Sequence, residues 1–258
     1  MRSLLARIAF AVSLPAILIA LWQLGTSAAE NFFFPTPARI VEAFVTTWTP
    51  EHFLTDAVPS LARLSVGLSA SIVIGIALGI FIGSVRWIRE LSEPVLELFR
   101  AIPPPVLIPL LLLLLGVGDA MKVVVIISGS VWPVLLNTIE GVRAVDGILS
   151  DTTRGYGISG WGRIRRLVIP SALPSVFAGI RQALAISLIL MVVSEMFASS
   201  SGLGFSILQA QRSFRIPEMW ASIALLGMLG VVLSFCFQLG EARILRWHRD
   251  SREVERGN

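Results

Sequence analysis

Two groups of residues in the 258-residue sequence could do chemistry. The first surrounds Glu195, a carboxylate inside the apolar run 173–198. A charge at membrane depth is costly to bury, which makes Glu195 a candidate site residue; the structural alternative is that it serves as an ion-pair partner. Arg181 lies fourteen residues away on the same run, roughly 21 Å along a helix, so a partner must come from another element. Asn137, Gln182, Ser187, Ser194 and Glu195 together make a candidate polar path, with hydrogen-bonded helix packing as the alternative. The second group is the polar stretch 146–170, DGILSDTTRGYGISGWGRIRRLVIP, the longest Arg-bearing interruption between apolar runs.

Composition states what must hold these residues in place. The chain is 55% hydrophobic and 15% charged, with a mean hydropathy of +0.79. Soluble domains carry roughly 25% charged residues, so a membrane protein is expected. The net charge of +4 resides in short runs between apolar segments, which argues against nucleic acid as a partner. His52 and His248 stand apart from any Cys or carboxylate cluster, Cys236 is the single cysteine, and no Gly-rich loop ends in Lys-Ser or Lys-Thr. Metal binding, an intrachain disulfide and nucleotide binding by this chain are therefore not expected.

Six spans are predicted, making an all-α membrane protein. The first is 8–29, with a cleaved signal peptide ending near Ser27-Ala28-Ala29 as the alternative. Thr36 and Pro37 then open a helix whose Ile40, Phe44 and Trp48 share a face, suited to the membrane surface or to packing on a neighbour. The second span is 60–84, where Gly67, Ser71, Gly75, Gly79 and Gly83 line one face for close helix packing. The third is 94–116, interrupted by Pro103, Pro104 and Pro105. The fourth runs from 121 to 139, the fifth from 173 to 198, and the sixth from 218 to 240, with 199–217 as a polar connection. The chain reads as one transmembrane domain, 1–258, with five spans and the polar stretch inside 60–240. With the N-terminus inside, sixteen arginines fall on the inner side and five basic residues (Arg39, Arg63, Lys122, Arg212 and Arg215) on the outer. The positive-inside rule then puts both termini and the polar stretch in the cytoplasm.

Within that stretch Asp146 can cap a first helix carrying Ile148, Leu149, Thr152, Thr153 and Tyr156. Gly155 and Gly157 end it or admit another backbone. Ser159 can cap a second helix with Trp161, Ile164, Leu167 and Val168 as an apolar stripe. Arg163, Arg165 and Arg166 lie off that stripe, facing lipid headgroups, and Pro170 begins the next span. An amphipathic loop resting on the inner leaflet fits these residues as well as a partner-docking segment does.

The spacing Asp151-Thr152-Thr153, three residues, Gly157, nine residues, Leu167-Val168-Ile169-Pro170 resembles the E-A-A…G…I-x-L-P signature of binding-protein-dependent ABC importer permeases. Asp replaces Glu and two Thr replace two Ala. Arg100-Ala101-Ile102-Pro103-Pro104 with Gly116-Val117-Gly118-Asp119, Leu136-Asn137-Thr138 with Gly141 to Asp146, and Ser194-Glu195-Met196 with Gly202-Leu203-Gly204 resemble segments of the nitrate/sulfonate/taurine branch. The resemblance spans residues 32–247. It implies a type I, MetI-like importer permease in a bacterial inner membrane, paired with a second, identical copy. Asp151, Thr152, Thr153, Gly155, Tyr156, Gly157, Ile158 and Pro170 would then form the segment seated on a cytoplasmic ABC ATPase dimer. That ATPase binds the ATP and Mg, and this chain carries no cofactor. An extracytoplasmic solute-binding protein would deliver small anions or related organics near Gly118-Asp119 and residues 202–215. The rival is an ion-coupled secondary transporter, which needs coupling carboxylates near the midplane and often inverted repeats; only Glu195 lies deep, and no repeat is evident. A membrane enzyme would need convergent catalytic groups that are missing.

Overall fold

A computed structural model describes residues 2–29, 32–197 and 199–246, and these residues are helical wherever they are regular. The helices are α1 (Arg2–Ala29), α2 (Pro37–Thr47), α3 (Pro50–Ser84), α4 (Arg86–Arg100), α5 (Ile108–Leu115), α6 (Asp119–Arg143), α7 (Gly147–Gly155), α8 (Gly160–Phe197), α9 (Leu203–Arg212) and α10 (Ile216–Ile244). Among the described residues, α3, α6, α8 and α10 are each long and apolar enough to cross a membrane. A fifth crossing results if α4 and Pro104–Leu115 count as one broken span. His248 and the tail arginines Arg249, Arg252 and Arg256 lie outside the described residues.

The third span differs from the expected 94–116. Residues 86–100 form a separate amphipathic helix with Pro94 inside it, and the chain then bends by 76° into Pro104–Leu115. Successive prolines lack amide donors, so the turn Pro104–Leu107 tightens to a 3₁₀ form before α5 begins. Segment 199–217 is likewise more ordered than a polar connection, because it contains α9. Gly202, at φ +125°, opens that helix, and the non-glycine Phe214, at φ +55°, closes it.

The chain divides into two compact units. In the unit of residues 1–59 and 201–227, Thr36 caps α2 by accepting from the Arg39 amide at 3.3 Å. Ile40 is buried while Val41 and Val45 face outward. Buried Asp56 accepts the Gly202 amide at 2.7 Å and lies 3.4 Å from His52 Nε2. The Trp22 and Trp220 rings meet at 5.5 Å, and Trp220 Nε1 donates to the Phe33 carbonyl.

In the unit of residues 60–200 and 228–258, α3 packs closely on α6 because its glycines put no side chain of their own between the two helices. Gly67, Gly75, Gly79 and Gly83 of α3 lie against Ile126, Val134, Thr138 and Val142 of α6, both sets running in steps of four or eight residues. On the adjacent face of α6, Gly179 of α8 rests against the Pro133 carbonyl and Asn137. Val134, Val142, Val168, Ala172, Val176, Ile180 and Ala183 form the core between α6 and α8. Each of the two longest helices contains one π turn, Phe53–Ala57 in α3 and Ile164–Val168 in α8. Each turn ends two residues before a proline, Pro59 or Pro170. The wider turn accommodates a ring that would otherwise strike the carbonyl four residues earlier.

A β-carbon added at Gly179 would sit 2.6 Å from the Pro133 carbonyl, so Gly179→Ala should lower stability by about 1–3 kcal/mol. Gly240→Ala, with nothing within 4 Å, should be neutral or stabilising. Thermal unfolding of the two variants in detergent checks the contrast.

Candidate functional site

The polar segment folds as a capped helix, a tight reversal and a second helix. Asp146 accepts from the Ile148 and Leu149 amides at 2.7 and 3.2 Å, starting α7. At its end the Ile158 amide donates to the Thr153 carbonyl and the Gly157 amide to the Arg154 carbonyl, both at 2.9 Å. This pair of bonds defines a Schellman turn and requires a left-handed residue just past the helix. Gly157 fills that position at φ +70°, whereas Gly155 belongs to the helix itself. Thr152 and Thr153 return their hydroxyls to the Ile148 and Ser150 carbonyls. Asp151 lies 3.4 Å from Arg154, and Arg163 reaches back to Ser150 Oγ at 3.0 Å. Ser159 stands at the start of the second helix without a side-chain cap bond, and Pro170 lies within α8 rather than at its start.

This small folded unit presents large apolar side chains to its surroundings. Ile148, Leu149, Tyr156 and Trp161 are all exposed, Tyr156 at 81%, while Leu167 and Val168 are buried in the core. Asp151, Thr152, Gly155 and Gly157 share the exposed face region; Thr153, Ile158 and Pro170 are half-buried.

The deep polar candidates behave differently from one another. Ser187 and Ser194 are buried and give their hydroxyl protons to the Leu184 and Met191 carbonyls of their own helix. Half-buried Asn137 donates to the Pro133 carbonyl at 2.8 Å, and Gln182 is exposed. Arg181 pairs with Glu241 of α10.

Glu195 is at the centre of a charge network contributed by three helices. Ser60 Oγ lies 2.7 and 2.8 Å from its two carboxylate oxygens, and Arg63 Nη1 donates to Oε1 at 2.6 Å. The Arg63 Nε edge donates to Asp119 Oδ1 at 2.7 Å, and Lys122 Nζ lies 3.7 Å from the same oxygen. The Glu195 side chain is fully buried, Arg63 and Lys122 nearly so, while Asp119 is 70% exposed. Arg63 and Lys122, counted on the outer side at the ends of the second and fourth spans, thus lie buried in the helix packing. Charge-assisted bonds of this length are strong, and breaking a buried pair from one side costs about 3–5 kcal/mol. Ser60, Arg63 and Asp119 were not recognised in the sequence as Glu195's surroundings. The usable signal was the register of Arg63, four residues before Gly67 and so at the head of the small-residue stripe.

The site thus combines an exposed, capped polar segment with a buried carboxylate neutralised by Arg63. Residues 71–247 match the family described as binding-protein-dependent transport system inner membrane component. The chain is 30% identical, over 93% of its own length and 87% of the relative's, to SsuC of Bacillus subtilis, which is named for aliphatic sulfonates transport. It is 26% identical to the taurine transport system permease protein TauC of Escherichia coli, covering 92% and 88% of the two chains. The nitrate import permease protein NrtB of Synechocystis is 30% identical, with 84% and 82% covered. Among solved structures, an inward-facing MetNI methionine ABC transporter chain superposes with a TM-score of 0.61 at 20% identity, covering 74% of this chain and 93% of its own. The chain belongs to the binding-protein-dependent transport system inner membrane component family. It is a multi-pass inner membrane permease of an ABC importer with the type I fold, and ATP hydrolysis belongs to a separate subunit.

Glu195→Gln, which leaves the Arg63 charge facing a neutral group, should lower the unfolding free energy by about 3–5 kcal/mol. Pairing it with Arg63→Met should cost less than the two changes summed, since the double variant removes both charges. Detergent unfolding curves of the four proteins check the coupling.

Proposed function

We propose that this permease has six spans with both termini in the cytoplasm and works as a pair of identical copies. The observation that carries this reading is the polar segment. It is a short helix locked by a Schellman turn, on the Arg-rich side of the chain, displaying Ile148, Leu149, Tyr156 and Trp161 uncovered among the described residues. Such a surface suits the groove of a cytoplasmic ATPase. ATP and Mg bind in that ATPase, and closure of its dimer moves the two segments together and reorients the spans by alternating access. Asp151, Thr152, Thr153, Gly155, Tyr156, Gly157 and Ile158 make the contact, and Pro170 anchors the segment to its span.

In this reading a solute-binding protein delivers substrate from the opposite side of the membrane, with Gly118-Asp119 and residues 202–215 as the segments the resemblance assigns to it. The names of the relatives support small oxyanions of the sulfonate, taurine and nitrate type as cargo. Asn137, Gln182 and Glu195 remain the pathway candidates, whereas Ser187 and Ser194 spend their hydroxyls on carbonyls of their own helix. Engagement of Glu195 by Ser60 and Arg63 counts against a coupling carboxylate of the secondary-transporter kind.

Gly157→Trp should reduce uptake to background while membrane insertion and expression persist, because it adds bulk where the turn meets the ATPase. Uptake and ATP hydrolysis of the reconstituted wild-type complex should both be vanadate-sensitive. Wild-type uptake by the variant at equal expression would remove the coupling role.

A further inference from the structure

We propose that Arg63 and Lys122 form a seat for a singly charged oxyanion, and that the seat is filled here by the chain's own Asp119 carboxylate. This deepens the importer reading and rests on it for the direction from which the anion arrives.

The two cations come from different helices, α3 and α6, yet both approach one oxygen, Asp119 Oδ1. Their own side chains are only 7% and 4% exposed, whereas that of Asp119 is 70% exposed at the first position of α6. The occupant is therefore the solvent-facing member of the group, and the cations are its fixed, buried floor. Arg63 is held from behind by Glu195, which takes Nη1 and leaves the Nε edge directed at Asp119. Charge balance sets the ligand class. With Asp119 in place, two cations face two carboxylates. Rotating Asp119 into solvent leaves one buried positive charge in excess, which is unfavourable until another monoanion replaces it.

Geometry narrows the ligand further. Asp119 reaches Arg63 at 2.7 Å but stops 3.7 Å short of the Lys122 ammonium, beyond hydrogen-bonding range. A head group with three oxygens, such as a sulfonate or nitrate, can meet the guanidinium edge with one pair and the ammonium with the third. Arg supplies the planar fork and Lys a point charge. Asp119 thus acts as a tethered competitor, keeping the seat neutral when cargo is absent.

The test uses the full-length permease with its ATPase in lipid nanodiscs and ³⁵S-labelled methanesulfonate as the probe. Asp119→Ala and the shape-conserving Asp119→Asn should each bind methanesulfonate at least about fivefold more tightly than wild type, a gain that structural damage does not produce. Lys122→Met should bind it at least about tenfold more weakly. Dimethyl sulfone, uncharged and of similar shape, should not displace the label. The seat is refuted if neither Asp119 variant binds more tightly, if Lys122→Met binds as wild type does, or if dimethyl sulfone competes equally. Vanadate-sensitive ATP hydrolysis in the same wild-type preparation reports on the importer reading separately. Its loss with methanesulfonate binding intact overturns that reading and leaves the seat standing.

Discussion

Close approach of α3 and α6 is the constraint on which the larger unit depends. In a bilayer apolar side chains gain little by leaving lipid for protein, so helices are held by van der Waals fit and by polar contacts. Stripping α3 to Gly67, Ser71, Gly75, Gly79 and Gly83 along one face brings its backbone against Ile126, Val134, Thr138 and Val142. Gly179 of α8 meets the adjacent face of α6 by the same device. α6 is thereby clasped by two helices, and the valine-rich core with α8 forms around it.

The charge network follows from that packing. Arg63 continues the glycine stripe by one more turn, so it cannot turn outward without unseating the helix. It is delivered into the α3–α6 seam, where Glu195 arrives from α8 and Ser60 completes the carboxylate's bonding. The favourable fit of glycine against valine is offset at one end by buried ions, which are tolerated because each is met by an opposite charge within hydrogen-bond reach or close to it. The same three helices that need precise apposition are the ones fastened by charge, and this ties stability to geometry at one end of the bundle.

Features written in local periodicity were legible in the sequence. The small-residue stripe, the Asp146 and Thr36 caps, the bend at the prolines and the turn at Gly157 all depend on residues within a few positions of one another. What escaped depended on meetings between distant segments. Arg63 was read only as an outer-side cation near the head of its span, and the α3–α6 contact alone reveals its burial and its partners. Helix α4 was hidden because its apolar residues, among them Trp87, Leu91 and Val95, lie outward beside Arg86, Arg89 and Glu90, giving a window too charged to resemble a span. Helix α9 escaped because its end uses Phe214 in a conformation for which glycine is the usual marker.

The π turn at Ile164–Val168 has a consequence for faces rather than for the proline beside it. A stripe running from Trp161 through Leu167 and Val168 would be continuous on a regular helix, since seven residues bring the chain almost back to the same side. The wider turn makes the count lag by roughly a quarter turn, so the residues before it and after it point to different sides of one unbroken helix. Trp161 is thereby left outside while Leu167 and Val168 enter the core. A single rod carries two phases, one turned outward and one toward its own interior, with no loop needed to change between them.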